Sequence, residues 1–328
     1  MTEFLQLDLA PLLAAVLACL ACGLLGNLLL LTRQSLLGDA VSHAVLPGIV
    51  AGFWISGTRA AAPMVAGAMV AAVGAALLIA LVRRLARLEP GAAMGVVFSS
   101  LFALGIVLIE VTGAHAVDLD VDCVLYGQLE ALIWPAARGL GSLLDPAALG
   151  EFPAEVKVLA FVLVLVLGLL ALLWKELRLV AFDPDFARSI GFAPHALSLL
   201  VLILVSVACV AAFWAVGSIL VIAALVAPAA IARLLTNSYG RQFLLSGAAA
   251  VTMGGGGYWA AVLAPRAMGL DHGLNAAGMM AVTAGLLLAL ACVLSPLGPA
   301  GRRRQGRTAP FVAPAADHPP EIVRTSAD

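Results

Sequence analysis

Long apolar runs separated by short polar links dominate this chain of 328 residues. A membrane-spanning helix needs about 20 consecutive apolar residues. Runs of roughly that length occupy residues 10–31, 40–57, 60–82, 92–112, 157–174, 195–214, 217–235, 244–264 and 274–294. The pattern therefore predicts an all-α integral membrane protein, a polytopic bundle of about eight or nine transmembrane helices. The link around Ala215 is either a true loop between two spans or a kink within one helix.

The composition narrows the class of protein. Hydrophobic residues make up 63% of the chain and charged residues 11%, whereas soluble domains have roughly 45–50% and 25%. A soluble enzyme is thereby excluded. The formal net charge of -1 also argues against a nucleic-acid partner, because binding phosphates needs a concentrated excess of Lys and Arg. Without a GxxxxGK[ST], HExxH or GxSxG motif, we expect neither ATP hydrolysis nor peptide cleavage by this chain.

Basic residues indicate the side of the membrane on which each link lies, because Lys and Arg concentrate on the cytoplasmic side. With nine spans and the N-terminus outside, fourteen of the 18 basic residues fall inside and four outside. The fourteen are Arg33, Arg83, Arg84, Arg87, Lys175, Arg178, Arg188, Arg233, Arg241, Arg302, Arg303, Arg304, Arg307 and Arg324. We therefore expect the N-terminus outside and the C-terminus inside.

Two segments fall outside the predicted helices. Residues 113–156 contain seven acids and one basic residue, Arg138, for a net charge of -6, and belong to the predicted outer side. Residues 299–328 are rich in Pro, Ala and charged residues, and they have too little apolar surface to fold. We expect a membrane domain over residues 1–298 and a disordered cytoplasmic tail over residues 299–328.

The second run and its entry contain two ionisable side chains, which are costly in a membrane and mark functional sites. Asp39 and His43 are spaced i, i+4, so a helix over this segment places both on one face. A carboxylate and an imidazole suit Mn, Fe or Zn better than Ca or Mg. Ser42 lies beside them in the sequence. Pro47 and Gly48 predict a helix break one turn later, of the kind that lines a cavity.

The spacing leaves an alternative open for this pair. In that alternative, Asp39 caps the N-terminus of the helix and His43 is an interior histidine with its own hydrogen bonds. A D-x-x-x-H pair is common by chance, so the pattern alone favours neither interpretation.

A short helix is predicted in the cytoplasmic link after the fifth run. Asp183 suits the N-cap position, Pro184 the first helical position, and Asp185 complements the helix dipole. Gly191 and Pro194 would end this helix after about two turns. A capped helix in such a link is typical of a docking element for a cytoplasmic partner. The alternative is a simple interfacial connector.

Other residues carry weaker predictions. Cys19 and Cys22 are interpreted as packing residues, and the glycines at 254–257 permit close helix approach. Five residues on the predicted outer side have two possible roles. Either their electrostatic field attracts cations to the outer end of the protein, or they form a surface that binds an external partner. The five residues are Glu110, His115, Asp118, Asp120 and Asp122.

Five segments together resemble one known family. They are RQSLLGDAVSHAVLPG (33–48), MGVVFSSLFALGIVLI (94–109), VDLDVDCVLYGQLE (117–130), FDPDFARSIG (182–191) and VGSILVIAALVAPAAIARLLT (216–236). In this order they are similar to the membrane subunit of manganese/zinc/iron ABC importers. The resemblance extends from about residue 10 to about residue 295, and five motifs in register are a specific signal.

The resemblance implies a permease with a type II ABC importer-like fold, in the cytoplasmic (inner) membrane of a bacterium. It implies a homodimer or a heterodimer with a second permease, a cytoplasmic ABC ATPase and an extracytoplasmic solute-binding protein. The chain would hold no permanent cofactor; Mn²⁺, Zn²⁺ or Fe²⁺ would be its substrate, and the partner would use ATP. The family's metal-coordinating residues carry over to Asp39 and His43. Its coupling helix, within residues 182–194, carries over to Asp183, Ala187 and Gly191.

Two alternative functions are compatible with parts of the sequence. In a proton-coupled secondary metal transporter, Asp39 and His43 would relay protons. An ABC permease for a metal chelate, such as a siderophore or cobalamin, needs a wide path without a metal-ligating pair, so the GDAVSH string argues against it. One Asp and one His suit Mn, Zn and Fe alike, so the sequence does not choose among the three metals.

Overall fold

A computed structural model describes residues 2–58, 60–112, 127, 129–143, 145–269 and 273–295 of the chain. Within these residues the secondary structure is helical and without strands. Eight helices in this part of the chain are long and apolar enough to cross a membrane. The predicted all-α polytopic fold is confirmed. The expected tail at 299–328 lies outside the described residues.

The α-helices are numbered here in chain order. They are α1 (Leu9–Leu31), α2 (Leu37–Ala44), α3 (Leu46–Ser56), α4 (Ala61–Ala86), α5 (Pro90–Thr112), α6 (Pro146–Gly150), α7 (Ala154–Leu172), α8 (Trp174–Phe182), α9 (Pro184–Ser189), α10 (Pro194–Val216), α11 (Ser218–Leu235), α12 (Tyr239–Val251), α13 (Gly257–Met268) and α14 (Ala276–Leu294). A π-helical turn, Phe4–Asp8, precedes α1, and a second, Thr252–Gly256, joins α12 to α13.

Long-range hydrogen bonds bring one set of helix ends together. The Tyr258 hydroxyl donates to the Asp8 carboxylate at 2.8 Å. The backbone N–H of Ala276 donates to the Glu130 carboxylate at 3.1 Å. The start of α1, the segment around residue 130, the start of α13 and the start of α14 therefore share one end of the bundle, the end predicted to be outside.

A second set of contacts defines the opposite end. The Ser295 hydroxyl, after α14, donates to the carbonyl of Leu234 in the last turn of α11 at 2.6 Å. The ring of Trp174 in α8 lies 4.8 Å from that of Tyr239, the first residue of α12. The end of α14, the link between α11 and α12, and α8 with Lys175 and Arg178 thus meet at this end, which we call the basic end.

The eighth of the nine expected spans, 244–264, forms a composite helix of α12, the π-helical turn and α13, and it is not among the eight helices counted above. This composite helix runs antiparallel to α1. The Gln242 side-chain amide donates to the Asn27 side-chain oxygen at 3.1 Å near the basic end, and the Tyr258 hydroxyl donates to the Asp8 carboxylate near the opposite end. At 1.5 Å per residue, residues 239–268 span about 45 Å, more than the hydrocarbon thickness of about 30 Å. This composite helix therefore crosses the same depth as α1 and makes a ninth crossing.

The short link around Ala215 reverses the chain direction. α10 begins at the basic end, where Leu197 lines a small cavity with Leu28 of α1, and the last turn of α11 lies at the same end, where Leu234 accepts a hydrogen bond from Ser295. Between them Gly217 adopts φ +80°, a conformation that favours glycine. The two runs are therefore separate spans, and the kink alternative is wrong.

Closely packed glycines join α3 to α4. A Cβ on Gly67 would meet the Gly48 carbonyl oxygen and lie 3.2 Å from the Gly52 Cα, whereas a Cβ on Gly74, also in α4, has no neighbour within 4 Å. We expect Gly67→Ala to lower the free energy of unfolding by about 1–3 kcal/mol, because overpacking pushes the helices apart.

The matched control is Gly74→Ala, which should be neutral or stabilising, since Ala is the better helix former. Thermal unfolding of the purified variants in detergent measures both changes. Equal midpoints for the two variants would contradict the close α3–α4 contact.

Candidate functional site

Helix α2 is buried except along one narrow face. Gly38, Ala40, Val41 and Ser42 are all buried, whereas the side chains of Asp39 and His43 are each 45% exposed. The i, i+4 spacing thus places both ionisable groups on the open face, as expected. Asp39 lies in the first helical turn, whose N-cap position is Leu36, so the capping alternative for Asp39 is wrong.

The two side chains approach each other closely. His43 Nε2 lies 3.5 Å from Asp39 Oδ1. Two ligands of one tetrahedral ion, each at about 2.1 Å from it, lie about 3.4 Å apart. The pair therefore has a separation that one divalent ion can bridge with little side-chain movement.

The helix that carries the pair ends close by, but not at the predicted position. The break lies at Val45, between α2 and α3, two residues before the predicted Pro47. Proline lacks an N–H to bond the preceding turn, and Pro47 occupies the first turn of α3. Both Gly48 and Ile49 donate their N–H groups to the Val45 carbonyl at 3.0 Å. The carbonyl of Val45 therefore starts a new helix just beyond His43.

Helix α5 supplies an aromatic wall beside the pair. The His43 ring lies 5.8 Å from the ring of Phe98 and 5.4 Å, edge-on, from that of Phe102. These contacts restrict the imidazole and so fix its orientation toward Asp39. Sequence reasoning did not assign Phe98 and Phe102 to the site, although their i, i+4 spacing in α5 was a signal that the two rings share a face.

Other sequence candidates do not join the pair. The Ser42 hydroxyl is buried and donates to the Gly38 carbonyl at 2.8 Å. Cys19 and Cys22 are free and buried in the main hydrophobic core, which agrees with the packing interpretation. Glu110 lies near the outer end of α5. The remaining outer candidates, His115, Asp118, Asp120 and Asp122, lie outside the described residues.

The pair is an incomplete ligand set. Among the described residues, no three His, Cys, Asp or Glu side chains come together in a way that could hold a metal ion. Transition-metal ions take at least four ligands. Further ligands would have to come from water, from the backbone or from a second chain facing the exposed side of α2.

At the basic end, α9 forms the short helix predicted in the cytoplasmic link. Asp183 Oδ1 accepts the N–H of Phe186 at 2.9 Å, so Asp183 is the N-cap as expected. Ala187 is fully buried. Gly191 adopts φ +94° and donates its N–H to the Arg188 carbonyl at 3.2 Å, which terminates the helix.

Four large apolar side chains surround α9 in exposed positions. We call them the α9 patch: Phe182, Phe186, Ile190 and Phe192. Phe186 is 53% and Ile190 52% exposed, although both lie beyond the membrane-spanning helices. Clustered exposed apolar groups of this kind mark sites of protein or membrane interaction.

Comparison with known proteins gives a consistent family signal. The profile of the ABC 3 transport family matches residues 2–133 and 148–293. The zinc transport system membrane protein TroD of Treponema pallidum is 34% identical over 285 residues, which is 87% of this chain and 73% of TroD. The manganese transport system membrane protein MntD of Bacillus subtilis is 36% identical over 231 residues, 70% of this chain and 75% of MntD.

A solved structure extends the similarity to the fold. PsaBC from Streptococcus pneumoniae, determined in complex with a Fab, superposes with a TM-score of 0.67 at 25% sequence identity. The match covers 91% of this chain and 94% of the PsaBC chain. Sequence and fold therefore point to the same class of membrane protein.

Proposed function

This chain belongs to the ABC 3 transport family, and from that membership we propose that it is the permease subunit of an ATP-driven importer of divalent transition-metal ions. The substrate class follows from relatives named for zinc and manganese transport. The observation that carries the proposal is the Asp39–His43 pair, an oxygen and a nitrogen donor 3.5 Å apart on the open face of a buried helix. ABC membership argues against the proton-coupled alternative, because ABC transport is driven by ATP.

In this proposal, Asp39 and His43 bind Mn²⁺, Zn²⁺ or Fe²⁺ transiently as the ion crosses the membrane. Their donor types suit these ions. A closed set of four or more protein ligands would hold the ion too tightly for transport, whereas two ligands on an exposed face permit release. A chelate permease would need a wide path, and the close Asp39–His43 pair argues against that alternative.

A second permease, either an identical copy or a paralogue, would face the exposed sides of α2 and α5. The incomplete ligand set supports this arrangement, since a facing subunit is one source of the missing ligands. The translocation path would then run between the two permeases, and it would open to alternate sides as their relative angle changes.

A separate cytoplasmic ATPase would supply the energy. This chain has no GxxxxGK[ST] motif. The α9 patch offers an apolar docking surface at the basic end, and Asp183, Ala187 and Gly191 hold its helix in place by capping, packing and termination. An extracytoplasmic solute-binding protein would deliver the ion at the opposite end, in the cytoplasmic membrane of a bacterium.

Elemental analysis of cells lacking this chain tests the proposal. With Mn, Zn and Fe limiting in turn, we expect accumulation of at least one metal to fall to background and to recover when the gene is restored. Unchanged contents of all three metals under limitation would reject the assignment.

A further inference from the structure

An open cleft of about 630 Å³ lies at the basic end of the bundle. One wall is α8, with Trp174, Lys175 and Arg178, and the other is the start of α12, with Ser238 and Tyr239. α8 begins directly after the spanning helix α7. The cleft therefore lies at the level where hydrocarbon gives way to lipid headgroups.

Positive charge from three sources converges on this cleft. Lys175 and Arg178 lie one turn apart on α8, and no Asp or Glu is among the described residues that line the cleft. Ser238 is the N-cap of α12, and its side chain makes no capping hydrogen bond. First-turn N–H groups of a helix lack intrahelical partners and carry partial positive charge, which is how helix N-termini bind phosphate.

A buried hydroxyl adds an independent sign of a missing ligand. Tyr239 lines the cleft and is only 7% exposed. Its hydroxyl is buried without a hydrogen-bond partner in the described part of the chain. Leaving a buried donor unsatisfied costs about 1–3 kcal/mol, and native proteins rarely tolerate it.

The walls of the cleft are aromatic as well as basic. The Trp174 ring lies 4.8 Å from that of Tyr239, and the Phe182 ring lies 6.0 Å from it. Trp and Tyr are enriched at headgroup level because each has an apolar body and a polar tip. A small soluble anion has no apolar part to place against such rings, whereas a phospholipid does.

We propose that this cleft binds the phosphate of an anionic glycerophospholipid from the adjacent leaflet. Lys175, Arg178, the Tyr239 hydroxyl and the N-terminus of α12 donate to the phosphate oxygens. The glycerol and the first acyl methylenes pack on Trp174. Basic pockets between helices on this side of a membrane bind anionic headgroups in the same way. The lipid would bridge α8, which leads into α9, and the link between α11 and α12.

The test measures lipid bound to the purified full-length chain. The protein is equilibrated in nanodiscs of phosphatidylcholine with increasing phosphatidylglycerol, and retained lipid is quantified by mass spectrometry. For Lys175→Gln/Arg178→Gln we expect about 30-fold weaker phosphatidylglycerol binding, from two basic residues near the headgroups. The control Arg83→Gln/Arg84→Gln removes the same charge from the last turn of α4, outside the cleft, and should keep wild-type affinity.

A second variant leaves the charge in place. Tyr239→Phe removes only the hydroxyl, and we expect about tenfold weaker retention, the effect of one hydrogen bond to a charged group. Unchanged retention in both cleft variants would overturn the proposal. So would an equal loss in the α4 control, which indicates non-specific charge attraction.

Two further results would also overturn it. If excess inorganic phosphate displaces phosphatidylglycerol completely, the cleft takes a free anion. If the cleft variants retain lipid but lose the ATPase during co-purification, the cleft is a protein contact.

Discussion

Cells that express Asp39→Ala or His43→Ala in place of the wild-type chain should accumulate no more of the transported metal than cells lacking the chain. Each substitution removes one of only two ionisable ligands in the pair. We expect uptake to fall by more than about 100-fold, because loss even of an outer-shell partner of a metal site costs about 10–100-fold. Elemental analysis of washed cells under metal limitation measures the effect.

The variants should insert and assemble normally, since both side chains are half-exposed and substitutions at such sites cost within about 0.5 kcal/mol. Asp39→Asn, which keeps the size and removes the charge, should also abolish uptake. The matched control is Ser42→Ala in the same helix, because within the described residues that hydroxyl bonds only the Gly38 carbonyl; uptake by this variant should stay near wild type. Normal uptake in both alanine variants would remove Asp39 and His43 from the metal path.

Removing two side chains of the α9 patch should separate the chain from its ATPase. For Phe186→Ala/Ile190→Ala, co-purification of the ATPase should fall by at least about 30-fold, because two central apolar anchors each contribute about 1 kcal/mol or more to a protein interface. Both residues are exposed in the single chain, so the fold should not change. Affinity purification of the complex followed by quantification of the ATPase measures the loss.

The control for this prediction is Phe161→Ala. Phe161 is an exposed phenylalanine on the membrane-spanning helix α7, and its removal should leave ATPase binding intact. Gly191→Pro should also reduce co-purification, since proline can neither adopt φ +94° nor donate the N–H that bonds Arg188. Retained ATPase with normal stimulation in both the patch variant and Gly191→Pro would disprove the docking role.

Local signals were sufficient to predict many elements of the fold. Long apolar runs predicted the membrane-spanning helices. Asp183 as N-cap and Gly191 as terminator predicted the start and the end of α9. The i, i+4 spacing placed Asp39 and His43 on one face. Each of these features depends on residues within one or two helical turns.

Features that depend on distant parts of the chain were not predicted. The contact of His43 with Phe98 and Phe102 requires α2 to pack on α5. The exposure of Phe186 and Ile190 depends on how α9 packs against the rest of the chain. The local sequence does not distinguish an exposed apolar residue from a buried one. The break at Val45 came two residues earlier than the Pro47 signal, because Pro47 has no N–H to bond the carbonyl four residues before it, that of His43.

The most direct test is metal uptake into proteoliposomes that contain this chain and its ATPase. We expect uptake of Mn²⁺, Zn²⁺ or Fe²⁺ that requires ATP, persists when the proton gradient is collapsed and disappears in Asp39→Asn. Uptake that continues without the ATPase and stops when the proton gradient is removed would contradict it.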